Sequence, residues 1–207
     1  MSLYAPRAFA SRDLARLDAL ADGYDLASLV TVADGLPFAS HVPVLYRREG
    51  ERIEVTGHLA RANPQVSHPG PALLMLHGPH AYVSPSWYPD KIEQSRVPTW
   101  NYAVAHLSGP LERFDDEASL AALVDALSVR HEARAGSDWR FDLDAPAERA
   151  QLRGIVGFRL HVERVDFKLK LGQNHPVANR QAVIARLEAG DAPAREVARL
   201  MRATLED

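Results

Sequence analysis

The sequence predicts an α+β fold that is mostly β: a barrel or sandwich of six or seven short strands with helices at its periphery. Two observations favour this class. Apolar or alternating segments of strand length, separated by Gly, Pro and Asp turn signals, fill most of residues 29–114. Helical spacing of apolar residues appears in only a few segments, which include a pair at the C-terminal end.

The first elements alternate between helix and strand periods. Ser11 is the predicted N-cap of a first helix. A hairpin is predicted around Asp34-Gly35, because this dipeptide supplies the positive φ of a tight turn. Polar and apolar residues alternate over residues 52–56, which predicts a half-buried strand. Residues 57–63 are then predicted to form a short helical turn that ends before a proline.

Further strands and one clear helix follow. Strands are predicted at residues 72–76, 80–83, 99–114 and 156–162. Asp115 or Asp116 is the predicted N-cap of the clearest helix, whose apolar residues recur at the i, i+3, i+4 and i+7 positions of one face. A short helix is expected between Pro146 and Gly154.

Residues 176–207 form a predicted pair of amphipathic helices, separate from a domain at residues 1–175. Two helices joined by a short turn suggest a helix-turn-helix that reads DNA. This segment holds five arginines and five acidic residues, so it has no net basic surface for phosphates. DNA stays open as a partner that the charge does not support. The alternative is a pair that packs on the barrel or on a dimer partner.

Composition excludes several kinds of chemistry. The chain has 207 residues and no cysteine, which removes thiolate catalysis, CxxC redox chemistry and zinc-thiolate sites. Its nine histidines form no HExxH motif and no pair one helical turn apart, so no metal site is predicted. There is no P-loop, GxGxxG or nucleophile elbow. The balance of 24 Lys and Arg against 27 Asp and Glu gives no global attraction to nucleic acid or to a membrane.

No apolar run reaches the length of about 18 residues that a membrane span needs. The N-terminal segment lacks a basic stretch followed by an apolar core, which a signal peptide would have. We therefore expect a cytoplasmic protein without a membrane partner.

Aromatic residues concentrate between Gly78 and Gly109, which holds five of the chain's fifteen: Tyr82, Trp87, Tyr88, Trp100 and Tyr102. Four prolines shape the connection between the flanking strands. Such rings beside fixed polar groups favour a planar ligand. An aromatic hairpin that only packs one end of a barrel is the alternative.

A candidate anion-binding set consists of Thr56, His58, Arg61 and Asn63. These residues stand at the start of the predicted helical turn, where free backbone N–H groups and the helix dipole favour a phosphate. Arg61 would bind the phosphate through paired hydrogen bonds. The alternative is a surface arginine with a local ion pair that contributes little.

Several segments together resemble one known family. They are GHLARANPQ at residues 57–65, GPHAYVSPSWY at 78–88, VPTWNYAVAHLSG at 97–109 and LKLGQN at 169–174. With Tyr4, Pro6 and Phe9 before the first helix, they resemble the signature blocks of the PaiB family of FMN-binding negative transcriptional regulators. The resemblance covers nearly the whole chain.

The resemblance implies an FMN-binding split β-barrel, related to the pyridoxine phosphate oxidase and flavin reductase barrels and usually a homodimer with FMN near the interface. It implies that Thr56, His58 and Arg61 lie toward the phosphate and ribityl chain of FMN. The isoalloxazine would lie along Lys91, Thr99, Trp100 and Asn101, and the pocket would be closed by Lys170, Gln173 and Asn174. His41 and Asn63 complete the predicted cofactor-binding set. Gly172 stands where the family usually has serine, and we expect the lost hydroxyl to weaken FMN binding.

Three functions stay open at this point. The first is a regulator that represses expression in response to flavin or redox state. The second is a small FMN-dependent oxidoreductase that uses the same pocket, in which the protein supplies orientation and electrostatics. No residue stands out as a proton donor, although His41, His58 and His106 would titrate near neutral pH where a substrate reaches them. The third is a scaffold whose pocket no longer binds flavin.

Overall fold

Eight strands and five α-helices make up residues 3–205, which the computed structural model describes. Residues 1, 2, 206 and 207 of the predicted domains lie outside this range. The strands are β1 Ala10–Ser11, β2 Leu26–Ala33, β3 Leu36–Glu49, β4 Arg52–Ala60, β5 Pro71–Val83, β6 Thr99–Phe114, β7 Ile155–Val162 and β8 Arg164–Lys170. The helices are α1 Leu14–Gly23, α2 Glu117–Ala135, α3 Pro146–Gln151, α4 Val177–Glu188 and α5 Ala192–Ala203. Short 3₁₀ helices lie at Pro64–Ser67, Pro85–Trp87 and Leu152–Gly154.

The chain divides into two compact units that each draw on separate stretches of sequence. Unit 1 contains residues 3–20, 77–105 and 166–205, and unit 2 contains residues 21–76 and 106–165. In the described chain the strands follow the order β1-β8-β6-β5-β2-β3-β4-β7, and β7 pairs in addition with β6. Because β7, at the end of this order, also pairs with β6, the order is that of a closed barrel. The predicted mostly β fold is confirmed.

The β2–β3 hairpin forms where the Asp-Gly signal predicts it. Asp34 has φ 52° and Gly35 has φ 76°, and Ala33 pairs directly with Leu36. Two successive positive φ values match the twist of the flanking strands. The hairpin fixes the register by which β2 and β3 present Leu29, Val42 and Val44 to the core.

The predicted helical turn at residues 57–63 is wrong, because β4 continues through Ala60. Gly57 pairs with Val44 of β3 and with Phe158 of β7, so this stretch hydrogen-bonds within the sheet on both sides. A Cβ at Gly57 would lie 2.6 Å from the Phe158 ring, which explains the glycine. The anion site inferred from free N–H groups and a helix dipole at residues 57–63 therefore has no helix behind it.

The other differences are smaller. Ser11 lies in β1, so the prediction that it is the N-cap of α1 is wrong. The N-cap is Asp13, because its Oδ1 accepts from the N–H of Arg16 at 3.1 Å. The segments at 72–76 and 80–83 are one strand, β5, and β8 was missed. Asp116 caps α2 as predicted, by accepting from the N–H of Ser119 at 2.9 Å. The C-terminal helical pair is confirmed as α4 and α5.

In unit 2, a buried glutamine forms hydrogen bonds with both strands of the β2–β3 hairpin. Gln65 is fully buried, and its Nε2 donates to the carbonyl oxygens of Leu29 (2.9 Å) and Phe38 (3.3 Å) and to Oγ1 of Thr31 (3.1 Å). Arg113 donates to the carbonyl oxygens of Gln65 and His68 on the same side. Buried polar groups are stabilising only while they are paired, so this network links β2 and β3 to the turn after β4.

Replacing Gln65 with alanine removes these bonds and leaves a void, so we expect Gln65→Ala to lower the free energy of unfolding by about 3 kcal/mol. Urea denaturation followed by circular dichroism measures the change. Gln181→Ala is the matched control, because Gln181 is an exposed residue of α4. Equal stability of the two variants would contradict the structural role of Gln65.

Candidate functional site

A cavity of about 350 Å³ opens in unit 1, between β6, the turn after β8 and the loop that joins β5 to β6. Four predicted site residues line it: Thr99, Asn101, Lys170 and Asn174. Its volume lies in the range of small-molecule pockets. The unit 1 cavity therefore brings together a third of the predicted cofactor-binding residues.

Lys170 is the central charge of the unit 1 cavity. Its Nζ donates to Oγ1 of Thr99 and to the carbonyl oxygen of Trp100 at 2.7 Å, and it lies 5.9 Å from the centre of the Tyr102 ring. Burial lowers the pKa of Lys170 from its usual value. No Asp or Glu is among the described residues that line this cavity. The ammonium group thus meets neutral oxygens and keeps its attraction for electron-rich ligand atoms.

Asn101 lies at the inner end of the unit 1 cavity. The residue is 3% exposed, and its Nδ2 donates to Sδ of Met201 in α5 at 3.3 Å. Gly172 faces the same region with φ 78°, a left-handed conformation that favours glycine. A Cβ at this position would lie 3.8 Å from Nδ2 of Asn101 and 3.9 Å from atoms of His175 and Met201, which is ordinary contact, so a serine here would meet backbone strain and no clash.

The loop between β5 and β6 forms one wall of the unit 1 cavity and is fastened at Asp90. Arg96 donates to both carboxylate oxygens of Asp90, and Nδ2 of Asn179 in α4 donates to the same carboxylate at 2.8 Å. The hydrogen bond from Arg96 lowers the pKa of Asp90 to about 2. The ion pair occupies the fork of Arg96 within the loop, and the hydrogen bond from Asn179 joins the loop to α4.

Among the lining residues that sequence reasoning did not include in the cofactor-binding set are Tyr88, Arg96 and His175. The rings of Tyr88 and His175 stack at 4.8 Å between centroids with 8° between their planes. Arg96 lies 5.8 Å from the centre of the Tyr88 ring. Tyr88 belongs to the aromatic run and His175 follows the LKLGQN motif directly, and these positions are the signals that point to them.

Three predicted residues of unit 1 do not line the described cavity. Trp100 is 51% exposed and packs edge-on against Tyr82. Lys91 is exposed on the loop. Gln173 bonds its own turn, because its Oε1 accepts from the N–H of Leu171 at 2.9 Å and its Nε2 donates to the carbonyl of Leu169 at 2.7 Å. Gln173 therefore shapes the turn that carries Asn174 and His175.

The remaining predicted residues belong to unit 2. Thr56 and His58 share one face of β4, and Thr56 lines a separate cavity of about 410 Å³ beneath α2. Burial lowers the pKa of His58, whose Nδ1 is buried without a hydrogen-bond partner. His41 is exposed, and its Nδ1 lies 2.9 Å from Oγ of Ser28.

Arg61 and Asn63 make structural contacts within unit 2. Arg61 donates to the carbonyl oxygens of Arg153 (2.8 Å) and Ile155 (3.0 Å), and it pairs with Asp115 at 3.3 Å. Asn63 caps the 3₁₀ helix by accepting from the N–H of Gln65, and it donates to Oγ of Ser40 at 2.9 Å. Three N–H groups of Arg61 already have acceptors in the chain, and its role toward a phosphate stays a prediction.

The unit 2 cavity has a different charge. Arg159 lines it and pairs with Glu54 and Glu112, each at 3.2 Å, while its guanidinium lies 5.4 Å from the centre of the Phe114 ring. Its cation is therefore matched by carboxylates, unlike Lys170. Among residues 3–205, no three His, Asp or Glu side chains form a cluster that would hold a metal ion. No helix within that range has the length and apolar character to cross a membrane.

Comparison with known proteins identifies the family. Residues 3–164 match the family model described as "Putative FMN-binding domain". The Bacillus subtilis (strain 168) protein named protease synthase and sporulation protein PAI 2 is 31% identical over 172 residues, which cover 81% of each chain.

Two solved structures show the same fold. The FAD and heme binding protein from Mycobacterium smegmatis has a TM-score of 0.59 at 21% identity, covering 85% of this chain and 79% of that one. The flavocytochrome Anf3 from Azotobacter vinelandii has a TM-score of 0.55 at 18% identity, covering 77% and 68%. At such identities the likeness concerns the fold alone, and it confirms the split β-barrel.

The family match covers most of the chain, and the resemblance of the GHLARANPQ and VPTWNYAVAHLSG segments agrees with it. It confirms FMN as the cofactor that the motifs predict. The chain belongs to the PaiB family of FMN-binding split-barrel proteins.

Proposed function

We propose that the unit 1 cavity holds FMN and that the protein is a cytoplasmic, homodimeric, flavin-responsive negative regulator of transcription. The observation that carries the FMN site is the Lys170 ammonium, which is bonded to neutral oxygens in a cavity whose described lining has no carboxylate. A half-buried cation of this kind attracts a ligand rich in carbonyl oxygens and negative charge.

The residues of the unit 1 cavity fit the chemistry of FMN. The isoalloxazine ring presents carbonyl oxygens and ring nitrogens at one edge, and the Lys170 ammonium would donate to such acceptors. Asn101 and Asn174 add amides that both donate and accept. Bound FMN supplies redox chemistry, and a cation near the ring stabilises the negative charge that reduction adds.

The regulatory part of the proposal rests on contacts between the cavity and the C-terminal helices. Asn101 contacts Met201 of α5, and Asn179 of α4 bonds the carboxylate that holds Arg96 in the cavity wall. A ligand that orders this wall would also order α4 and α5, which is a physical route from flavin binding to a change at the protein surface.

Most arginines of the C-terminal helices have acceptors within the chain. Four of the five donate to acceptors within the chain: Arg180 to Thr204, Arg195 to Gly190, Arg199 to Glu196 and Arg202 to Glu188. A cation that already has an acceptor in the chain contributes less to binding a phosphate, and phosphate contacts impose a steep dependence on salt. We therefore propose regulation without direct reading of DNA by α4 and α5.

A small FMN-dependent oxidoreductase is the second candidate. The observation in its favour is the same Lys170 ammonium, because stabilising a reduced flavin serves turnover as well as sensing. In an oxidoreductase a reductant reaches the bound flavin rapidly, whereas a regulator does not need this access. The rate at which a reductant bleaches the bound flavin therefore distinguishes the two functions.

Replacing Lys170 with methionine keeps the length and removes the charge, so we expect Lys170→Met to weaken FMN binding at least tenfold, by about 1.4 kcal/mol or more. Quenching of flavin fluorescence measures the dissociation constant. Lys91→Met is the matched control, because Lys91 is exposed on the neighbouring loop. A loss at Lys91 equal to that at Lys170 would contradict the placement of the flavin in the unit 1 cavity.

For a regulator, we expect NADH or NADPH to bleach bound FMN no faster than free FMN. We also expect FMN to slow amide hydrogen exchange in α4 and α5, because their contacts reach the cavity wall. Stopped-flow absorbance and hydrogen exchange with mass spectrometry measure the two effects. Rapid bleaching of bound FMN without protection of α4 and α5 would contradict the proposed regulator and favour the oxidoreductase.

A further inference from the structure

His175 has a fixed orientation in the unit 1 cavity. Its ring lies flat on Tyr88, which is 4% exposed, and its backbone N–H donates to the carbonyl of Gly172 at 2.9 Å. The stacked pair forms part of the cavity lining beside Lys170. The hydrogen bond fixes the backbone and the stack fixes the ring, so the side chain loses little entropy when it binds a ligand.

The two nitrogens of the His175 ring lie in different surroundings. Nδ1 is buried and has no hydrogen-bond partner, whereas Nε2 is not among the buried unpaired atoms of the described chain. A buried N–H without an acceptor is rarer and more costly than an unpaired acceptor. The proton of the neutral ring therefore belongs on Nε2, and the residue that carries it lines the cavity.

The charges that face His175 keep its ring neutral. Burial lowers the pKa of His175, and Arg96 from the loop and Lys170 from β8 act in the same direction, while Asp90 opposes them. Tyr88, on which the ring stacks, has its own pKa raised by burial and is neutral. Protonation would also place a second N–H on the buried, unpartnered Nδ1. His175 is thus a neutral donor at neutral pH.

We propose that His175 is a ligand-binding residue whose Nε2–H donates to a carbonyl acceptor of the flavin ring, so that the unit 1 cavity takes the isoalloxazine end of FMN and not the phosphate end. This inference rests on the proposed FMN site. A neutral imidazole suits a carbonyl oxygen better than a phosphate dianion. Arg96, which would suit a phosphate, already has its fork on Asp90.

The test compares His175→Phe with the wild type. Phenylalanine keeps the stack on Tyr88 and removes both nitrogens, and His175→Gln restores a donor without the ring. His80→Phe is the control, because His80 is exposed and is not among the described residues that line the cavity. Thermal unfolding of each variant confirms that it is folded before ligands are compared.

Lumiflavin, riboflavin and FMN are titrated by fluorescence quenching. We expect His175→Phe to weaken all three about three- to tenfold and alike, since lumiflavin contains the ring without the phosphate. We expect His175→Gln to recover part of the loss and His80→Phe to bind as the wild type does. A loss confined to FMN, or no loss in either His175 variant, would overturn the inference.

The pH dependence gives a second readout. Because burial lowers the pKa of His175 below its usual value, we expect wild-type affinity for lumiflavin to stay level above pH 7, and we expect the same of His175→Phe. A titration above pH 7 that disappears in His175→Phe would show a charged ring and overturn the neutral donor. A wild type that binds no flavin would instead refute the proposed FMN site itself, which distinguishes the two failures.

Discussion

The bond between the Lys170 ammonium and the oxygens of β6 is the interaction on which the candidate site depends. It joins the end of β8 to the start of β6, at the carbonyl of Trp100 and the hydroxyl of Thr99. These two neutral oxygens accept from two of the three N–H donors of the ammonium, which leaves one donor for a ligand and the charge uncompensated. A carboxylate in this place would cancel that charge, as Glu54 and Glu112 do for Arg159 in the unit 2 cavity.

The second constraint is the fastening of the loop at Asp90. Its carboxylate accepts from Arg96 and from Asn179, so one side chain fixes the cavity wall and also contacts α4. The loop carries Tyr88, whose ring in turn supports His175. Cavity, loop and C-terminal helices therefore form one connected set of contacts in unit 1, and this connection links flavin binding to regulation in the proposal.

Local pattern predicted much of the fold. The Asp34-Gly35 hairpin, the cap at Asp116 and the helical pair follow from turn chemistry and from the period of apolar residues. The prediction of a helical turn is wrong at residues 57–60. There Gly57 pairs with β3 on one side and with β7 on the other, and this pairing overrides the helical propensity of the segment. It also missed β8, whose pairing with β1 joins segments far apart in sequence.

The family resemblance predicted part of the lining of the candidate cavity. Thr99, Asn101, Lys170 and Asn174 do share a cavity. Polarity alone does not say where a side chain finds its partners, and so Arg61 and Gln173, which bond backbone carbonyls, look the same in sequence as residues that face a ligand. Tyr88 and His175 meet only through the fold, and no spacing in the sequence indicates that contact.

The central claim is that the unit 1 cavity holds the flavin ring, and a crystal structure of the protein with bound FMN tests it most directly. The account predicts density for the isoalloxazine beside Lys170 and His175. A ring bound against Thr56 and Arg159 in the unit 2 cavity, with Lys170 free of ligand, would contradict it.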